Sequence, residues 1–295
     1  MSANAKDDLS KTLEGTPRSR AIGAILVDAG RLTEADVGEI QAYAESTGLL
    51  FGEAGIKLNR FTAEDVNFAL ARQFHYPVLT HGTGGMVADE VVAAYEPQSE
   101  LAEDLRTVRS RLVIDWLSHA ERNILTVVSP DRADGRSWFA ANLATVFAQA
   151  GERTLLIDAD MRAPRQHQLF NLNDSLGLSA VLTGRAGKET ARRIHPELRL
   201  FVVPAGVLPP NPQELLTRPV FEVVISKFAS QFDVVIIDTP PARHTADAQI
   251  VAARAGAAIM LSRRNHTGEV PLQSTLKSLL DSRVKVVGSV INDYD

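Results

Sequence analysis

Three short stretches of this chain concentrate the side chains that phosphate chemistry needs. SPDRADGRS (129–137) closes on Gly135-Arg136-Ser137, after an aliphatic run and before a helical pattern. A turn of this kind aims backbone N–H groups and the start of a helix at one point, where an anion is favoured. A hydroxyl at 137 suits Mg²⁺ and a cation at 136 suits phosphate oxygens, although phosphate loops ordinarily carry lysine there. LLIDADMR (155–162) supplies Asp158, Asp160 and Arg162, and VVIIDTPP (234–241) supplies Asp238. Singly, each aspartate reads as a helix cap or turn former. Together they offer ligands for Mg²⁺ or its waters and a carboxylate able to take a proton from an attacking hydroxyl.

Positioning them requires strands that end at one edge. Six apolar runs do this: ILTVVS, TLLID, LRLFVVP, VVIID, AAIMLS and VKVVGSVI, between residues 124 and 291. They are nearly continuous rather than alternating, and amphipathic segments separate them. The first such segment places Phe139, Leu143, Val146 and Phe147 on one face. That pattern predicts an α/β fold with a mainly parallel sheet covered by helices on both faces, in which ligands bind at the carboxyl ends of the strands.

Composition narrows the function classes. The chain has 295 residues, 45% apolar and 23% charged, with a net charge of −5, so no general attraction to nucleic acid is expected. It contains no cysteine, which removes disulfides, thiolate nucleophiles and cysteine-zinc sites. Its seven histidines form no HxH or HxxxH pair. The polar start lacks the apolar core of a signal peptide and no run approaches a membrane span, so a cytoplasmic protein is expected.

Ahead of the sheet region, residues 1–19 read as a flexible tail. IGAILVDAGRLTEADV (22–37) recurs as FGEAGIKLNRFTAEDV (51–66), an offset of 29 residues. Thr33 and Thr62 look like helix N-caps, and Gly30 and Asn59 like left-handed C-caps, so each unit reads as helix, turn, helix. This gives an all-α repeat domain over 20–80, a linker over 81–97 containing the joint HGTGG (81–85), and the sheet domain over 98–295. A helix after Pro97 carries Leu101, Leu105, Val108, Leu112 and Trp116 on one stripe. On its other face Glu103, Arg106 and Arg109 read as a solvated surface with an i,i+3 ion pair.

The repeat resembles the N-terminal domain of type II secretion and pilus assembly ATPases, which in some members binds cyclic di-GMP through Arg-Leu-Gly at the repeat start. Ala21-Ile22 and Leu50-Phe51 precede Gly23 and Gly52 here, and Arg20 is one position out of register. Cyclic di-GMP is therefore not expected, and a protein-interaction module is.

SPDRADGRS, LLIDADMR and FDVVIIDTPP resemble the Walker A, A′ and B motifs of the bacterial tyrosine kinases of exopolysaccharide and capsule synthesis, a P-loop NTPase fold. LGLSAVLTG and AGVLPPNPQELL extend the match, which covers about 97–292. The layout is most similar to the EpsG-type, chain-length-determinant-associated kinases. The resemblance implies ATP and Mg²⁺, with nucleotide held by Ala133, Asp134, Gly135, Arg136, Ser137 and Trp138, and Asn292 near adenine. It implies Mg²⁺ at Ser137, Asp160 and Asp238, and catalysis by Asp158 as base with Asp160 and Arg136. It makes Glu103, Arg106 and Arg109 an ExxRxxR motif for a homo-oligomer. It also implies recruitment to the inner membrane by a membrane chain-length determinant, and phosphorylation of a C-terminal tyrosine cluster.

Several residues depart from that pattern. Ala133 replaces a glycine, Arg136 replaces the lysine, and Asp131 adds a negative charge beside the expected phosphates. Trp138 stands where a small hydroxyl residue is usual, and Tyr294 is the one tyrosine near the end. The expected function is accordingly an ATP-dependent protein-tyrosine kinase controlling exopolysaccharide chain length and export. The alternative is a catalytically weak or inactive nucleotide-dependent scaffold. A third option, a partitioning-type ATPase, is disfavoured by Pro130-Asp131 in place of its extra lysine.

Overall fold

The computed structural model describes residues 22–74, 76–79, 87–117, 122–173 and 175–293. The expected tail at 1–19, Arg20, Ala21, the joint at 81–85 and Tyr294 lie outside the described residues. The chain divides into two compact units, Met1–Val78 and Leu79–Asp295.

The first unit contains α1 (Ile22–Asp28), α2 (Glu34–Thr47), α3 (Phe51–Lys57) and α4 (Ala63–Gln73). Both repeats close and restart their helices by the same chemistry. After α1, Gly30 at φ +69° lets Arg31 N–H reach the Leu26 carbonyl and Gly30 N–H the Val27 carbonyl, each at 2.9 Å. After α3, Asn59 at φ +53° does likewise, with Arg60 bonded to Gly55 and Asn59 to Ile56, each at 3.0 Å. These are Schellman closures, which need a residue that tolerates the left-handed region. Thr33 then caps α2 and Thr62 caps α4, in reciprocal boxes with Asp36 and Asp65.

The repeats also exchange partners. α1 packs on α4 and α2 on α3. Arg31 of the first repeat pairs with Asp65 of the second, while Arg60 of the second pairs with Asp36 of the first at 3.3 Å and with Glu39. Leu26, Ile40, Ala54, Phe61 and Ala69 form the shared core.

The second unit begins with α5 (Val92–Tyr95) and α6 (Glu100–Leu112), which runs into a π-turn at Val113–Leu117. The remaining elements are β1 (Ile124–Val128), α7 (Arg136–Gln149), β2 (Thr154–Asp158), α8 (Gln166–Leu169), α9 (Leu178–Leu182), β3 (Arg192–Arg193) and β4 (Leu200–Val203). After them come α10 (Pro212–Thr217), α11 (Pro219–Ala229), β5 (Val234–Asp238), α12 (Asp247–Ala255), β6 (Ala257–Arg263), α13 (Glu269–Asp281) and β7 (Lys285–Asn292). The strands form one sheet in the order β3-β4-β2-β5-β1-β6-β7, parallel except where β3 meets β4. The six apolar runs are its six parallel strands.

Both faces of the inner sheet are covered, which is why β1, β2 and β5 read as unbroken apolar runs, while the edge strand β7 has no buried residue. Leu125, Val127, Leu156, Val234, Ile236 and Ile259 join α7 in one core. The intervening Leu155, Ile157, Val235 and Ile237 pack on the other face against α11. α7 is buried over nearly its whole length, because α5 and α6 cover the side away from the sheet. Its internal polar groups find partners there. Asn142 accepts from Ala93 N–H at 3.0 Å and donates to the Glu90 and Trp138 carbonyls, and Gln149 donates to the Ala93 carbonyl at 2.7 Å. Residues 87–97, within the expected linker, are thus built into the sheet unit, where Val91, Ala93 and Ala94 are buried. Among the described residues no helix is long and apolar enough to cross a membrane.

Candidate functional site

The ends of β1 and β5 set the site, because the connections leaving these adjacent strands run opposite ways: β1 leads to β2 beyond β5, and β5 leads to β6 beyond β1. The chain leaves β1 through Ser129 to Gly135 and enters α7. Two residues in this loop take the left-handed region, Ala133 at φ +61° and Gly135 at φ +94°. Glycine adopts that region freely, whereas a Cβ there costs about 1–2 kcal/mol.

The loop is tied down from several sides. Asp134 is buried; its carboxylate accepts from Asp131 N–H at 2.8 Å and from the Thr267 hydroxyl at 2.6 Å. Asn292, at the end of β7, donates to the Asp134 carbonyl at 3.1 Å. His266 sits 3.1 Å from the Arg132 carbonyl, and Arg243 pairs with Asp131 at 3.1 Å, which offsets the charge that the sequence places beside the loop.

Arg136 is buried, with only 8% of its surface exposed, and its guanidinium turns back beneath the loop. Nε donates to the Thr239 carbonyl at 2.8 Å, and Nη1 donates to the Asp131 carbonyl at 2.6 Å and to the Ser129 hydroxyl. Burial lowers its pKa, against the pull of Asp238 and Asp160. The guanidinium therefore joins the segment after β1 to the segment after β5.

The carboxylates converge on the same place. Asp158 and Asp238 stand opposite each other at the ends of β2 and β5, both fully buried. Asp158 accepts from the backbone N–H groups of Asp160, Arg165 and Gln166 at 3.0–3.1 Å. Burial, and then the charge of Asp238, push its pKa well up. Burial also raises Asp238, while hydrogen bonds from Ser137 and Gln166 and the charge of Arg136 oppose that shift. Asp160 accepts from Arg162 and Ala163 N–H at 3.0 and 2.9 Å, and Arg162 forms a two-point pair with Asp247.

A cavity of about 960 Å³ opens here, lined by Ala133, Gly135, Arg136, Ser137, Trp138, Asp160 and Asn292 among others. Of the residues singled out from sequence, these seven together with Arg162 and Leu101 face one space. Asp158 and Asp238 lie beneath it, and the Asp134 carboxylate is spent on bracing the loop. Glu103, Arg106 and Arg109 lie on α6 and do not line the cavity: Glu103 pairs with Arg106 at 2.7 Å, Arg106 donates to the Pro97 carbonyl at 2.6 Å, and Arg109 to the Val146 carbonyl at 3.3 Å. The sequence did not point to Gln166, whose amide donates to Asp238 at 2.8 Å and to the Ser137 carbonyl at 3.0 Å. No motif marks it; only the fold brings it there.

The residues fit a divalent cation. Asp238 Oδ1 is buried and accepts no hydrogen bond, and Ser137 stands close enough to the same carboxylate to hold its pKa down against burial. Among the described residues no three His, Cys, Asp or Glu side chains form a self-sufficient metal site. A cation held by Ser137 and Asp238 would complete its shell with phosphate and water oxygens, as Mg²⁺ ordinarily does.

No family model matches the chain. Among curated proteins it is 33% identical over 214 residues to the tyrosine-protein kinase YwqD of Bacillus subtilis, covering 72% of this chain and 90% of that one. It is 37% identical over 209 residues to the putative tyrosine-protein kinase EpsB of Ralstonia solanacearum, covering 70% of this chain but 27% of that protein's length. Among solved structures, the kinase domain of Escherichia coli tyrosine kinase ETK superposes with a TM-score of 0.66 at 27% identity, covering 69% of this chain and 79% of that one. The cell-division protein MinD of Pyrococcus horikoshii, solved with Mg-ADP, shares the fold at a TM-score of 0.51 and 19% identity over 58% of this chain and 70% of that one.

Proposed function

Because the chain belongs to the bacterial tyrosine-protein kinases, we propose that it transfers the γ-phosphoryl group of ATP to protein tyrosine and thereby governs exopolysaccharide chain length and export. The observation that carries this reading is the meeting of Ser137, Asp160 and Arg136 at one cavity, directly above the buried Asp158–Asp238 pair. The loop from Ala133 to Trp138 binds the phosphates through its backbone and the start of α7, and Asn292 orients the base. Ser137, Asp160 and Asp238 hold Mg²⁺ or its waters; when bound, Mg²⁺ neutralises charge on the phosphates.

The α7 start, joined by Arg136 when its guanidinium leaves the Thr239, Asp131 and Ser129 oxygens that hold it beneath the loop, stabilises negative charge as the bond from the tyrosine oxygen to phosphorus forms and ADP leaves. The tyrosine proton passes to a carboxylate. Asp158, whose burial raises its proton affinity, suits that role once the turn at 160–166 that now covers it opens; Asp160 already faces the cavity. Glu103, Arg106 and Arg109 serve assembly into a homo-oligomer, and a membrane chain-length determinant recruits the protein to the inner membrane. The helical repeat unit serves as a protein-interaction module.

Incubation with labelled ATP, Mg²⁺ and the cytoplasmic part of the chain-length determinant tests this. Label on tyrosine supports it, and Mg-ADP binding without any transfer overturns it.

Two observations favour a second reading, a nucleotide-dependent scaffold with weak or no transfer. Arg136 commits three hydrogen bonds to the protein itself, and Ala133 occupies a position suited to glycine. Under that reading Asp158→Asn leaves polymer export intact, whereas the kinase reading requires export to fail.

A further inference from the structure

Gln166 opens α8, eight residues after Asp158, and is fully buried. Its side-chain amide touches both halves of the expected cation site. Nε2 donates to the Ser137 carbonyl at 3.0 Å and to Asp238 Oδ2 at 2.8 Å, while the backbone N–H of the same residue donates to Asp158 Oδ2 at 3.0 Å. One residue is therefore bonded to the loop helix, to the acid ending β5 and to the acid ending β2.

The amide orientation is fixed by its partners. Both groups facing Nε2 are acceptors, and rotating the amide would set Oε1 against two oxygens. In this orientation Gln166 Oε1 and Asp238 Oδ1 are both buried and accept nothing. A buried acceptor without a donor is costly, of order 1–3 kcal/mol. Here two occur on one hydrogen-bonded pair, beside Ser137. Structural packing alone gives no reason to retain a glutamine whose oxygen is left unmet, because an apolar side chain of similar size would avoid that cost. A hydrated divalent cation answers it, since the metal takes a carboxylate oxygen and its waters donate to nearby acceptors.

We propose that Gln166 is the positioning residue of the cation site: it holds Asp238 by Oδ2 so that Oδ1 is left for the metal or its water, and it locks that carboxylate to the start of α7. This rests on the Mg²⁺-nucleotide reading given above. Gln166 itself touches neither nucleotide nor substrate.

Calorimetric titration of the full chain with ADP, in Mg²⁺ and again in EDTA, tests the assignment. Gln166→Met keeps an unbranched side chain of similar length but removes the donors. Gln166→Glu keeps the shape and replaces the amide donor with an acceptor. In the unsubstituted protein Mg²⁺ tightens ADP binding; in both variants that enhancement falls at least fivefold, while metal-free ADP affinity changes less than twofold and the tryptophan-reported thermal midpoint moves by only a few degrees. An undiminished Mg²⁺ enhancement in either variant overturns the assignment. Equal loss of binding with and without metal also overturns it and makes Gln166 a packing residue. Absence of any Mg²⁺ enhancement in the unsubstituted protein is a separate outcome, which removes the nucleotide-site reading and this assignment with it.

Discussion

Replacing Arg136 with lysine is the most informative single change, because two effects of opposite sign meet at this side chain. The guanidinium makes three bonds, to the carbonyls of Thr239 and Asp131 and to the Ser129 hydroxyl. Lysine preserves the charge beside Asp238 and Asp160, but one ammonium on a longer stem cannot span acceptors on both sides of the loop. One or two charge-assisted bonds are lost, each worth about 1.5–3 kcal/mol, and buried acceptors are exposed to the cost of remaining unmet. The expected destabilisation is about 2–4 kcal/mol. Trp116 and Trp138 are the chain's two tryptophans and both lie in the unit Leu79–Asp295, so fluorescence in a urea titration reports that unit without interference from the helical repeats. The freed cation should at the same time favour nucleotide, and Mg-ADP affinity in Arg136→Lys should rise. A variant as stable as the parent to within ~0.5 kcal/mol would refute the idea that the guanidinium braces the loop. Weaker ADP binding despite the lost bonds would refute the idea that those bonds withhold the cation from phosphate.

Other changes test separate parts of the account. Ala133→Gly relieves a side chain at φ +61°, worth about 1–2 kcal/mol, against ~0.4–1 kcal/mol of added freedom in the unfolded chain; a gain of up to about 1 kcal/mol is expected by the same fluorescence titration, and a clear loss would contradict it. Asp158 has a folded-state pKa raised above 3.8, so the folded protein binds its proton more tightly than the unfolded chain does. Its stabilising effect is complete below that ordinary value and is lost as pH rises through the folded pKa. Asp158→Asn should therefore flatten the decline in stability above the usual carboxylate range, and an unchanged slope would show that the side chain does not titrate there. In the helical unit, a Cβ on Gly55 would stand 2.1 Å from Phe61 Cζ, whereas one on Gly52 meets nothing closer than 3.5 Å. Gly55→Ala should cost about 1–3 kcal/mol through overpacking, and Gly52→Ala little, when helix unfolding is followed by circular dichroism.

Much of this was legible from local pattern. The inner parallel strands announce themselves because burial on both faces leaves no polar alternation, whereas the edge strand β7 is marked by its β-branched residues alone; the caps at Thr33 and Thr62 are matters of a few adjacent residues. What escaped depends on partners remote in sequence. β3 is two arginines, and only its antiparallel pairing with β4 makes it a strand. Residues 87–97 read as a linker because their burial is fixed by Asn142 and Gln149, some fifty positions away. The three aspartates were visible as strand ends, but not that Asp160 lines the cavity while Asp158 and Asp238 lie under it. Residue type at 136 signalled a weakened phosphate loop; the direction in which the guanidinium turns, back toward Thr239, belongs to the tertiary structure.

The exchanged pairs of the first unit carry a consequence for its symmetry. Arg31 reaches Asp65 and Arg60 reaches Asp36, and the helices pair α1 with α4 and α2 with α3, so each half finds its complement in the other. Two identical halves brought together would regenerate every one of these contacts. Such a body has the contact pattern of a twofold homodimer carried on one polypeptide. The present chain can vary the halves separately, as Gly30 against Asn59 already does, without surrendering the geometry that the axis imposed.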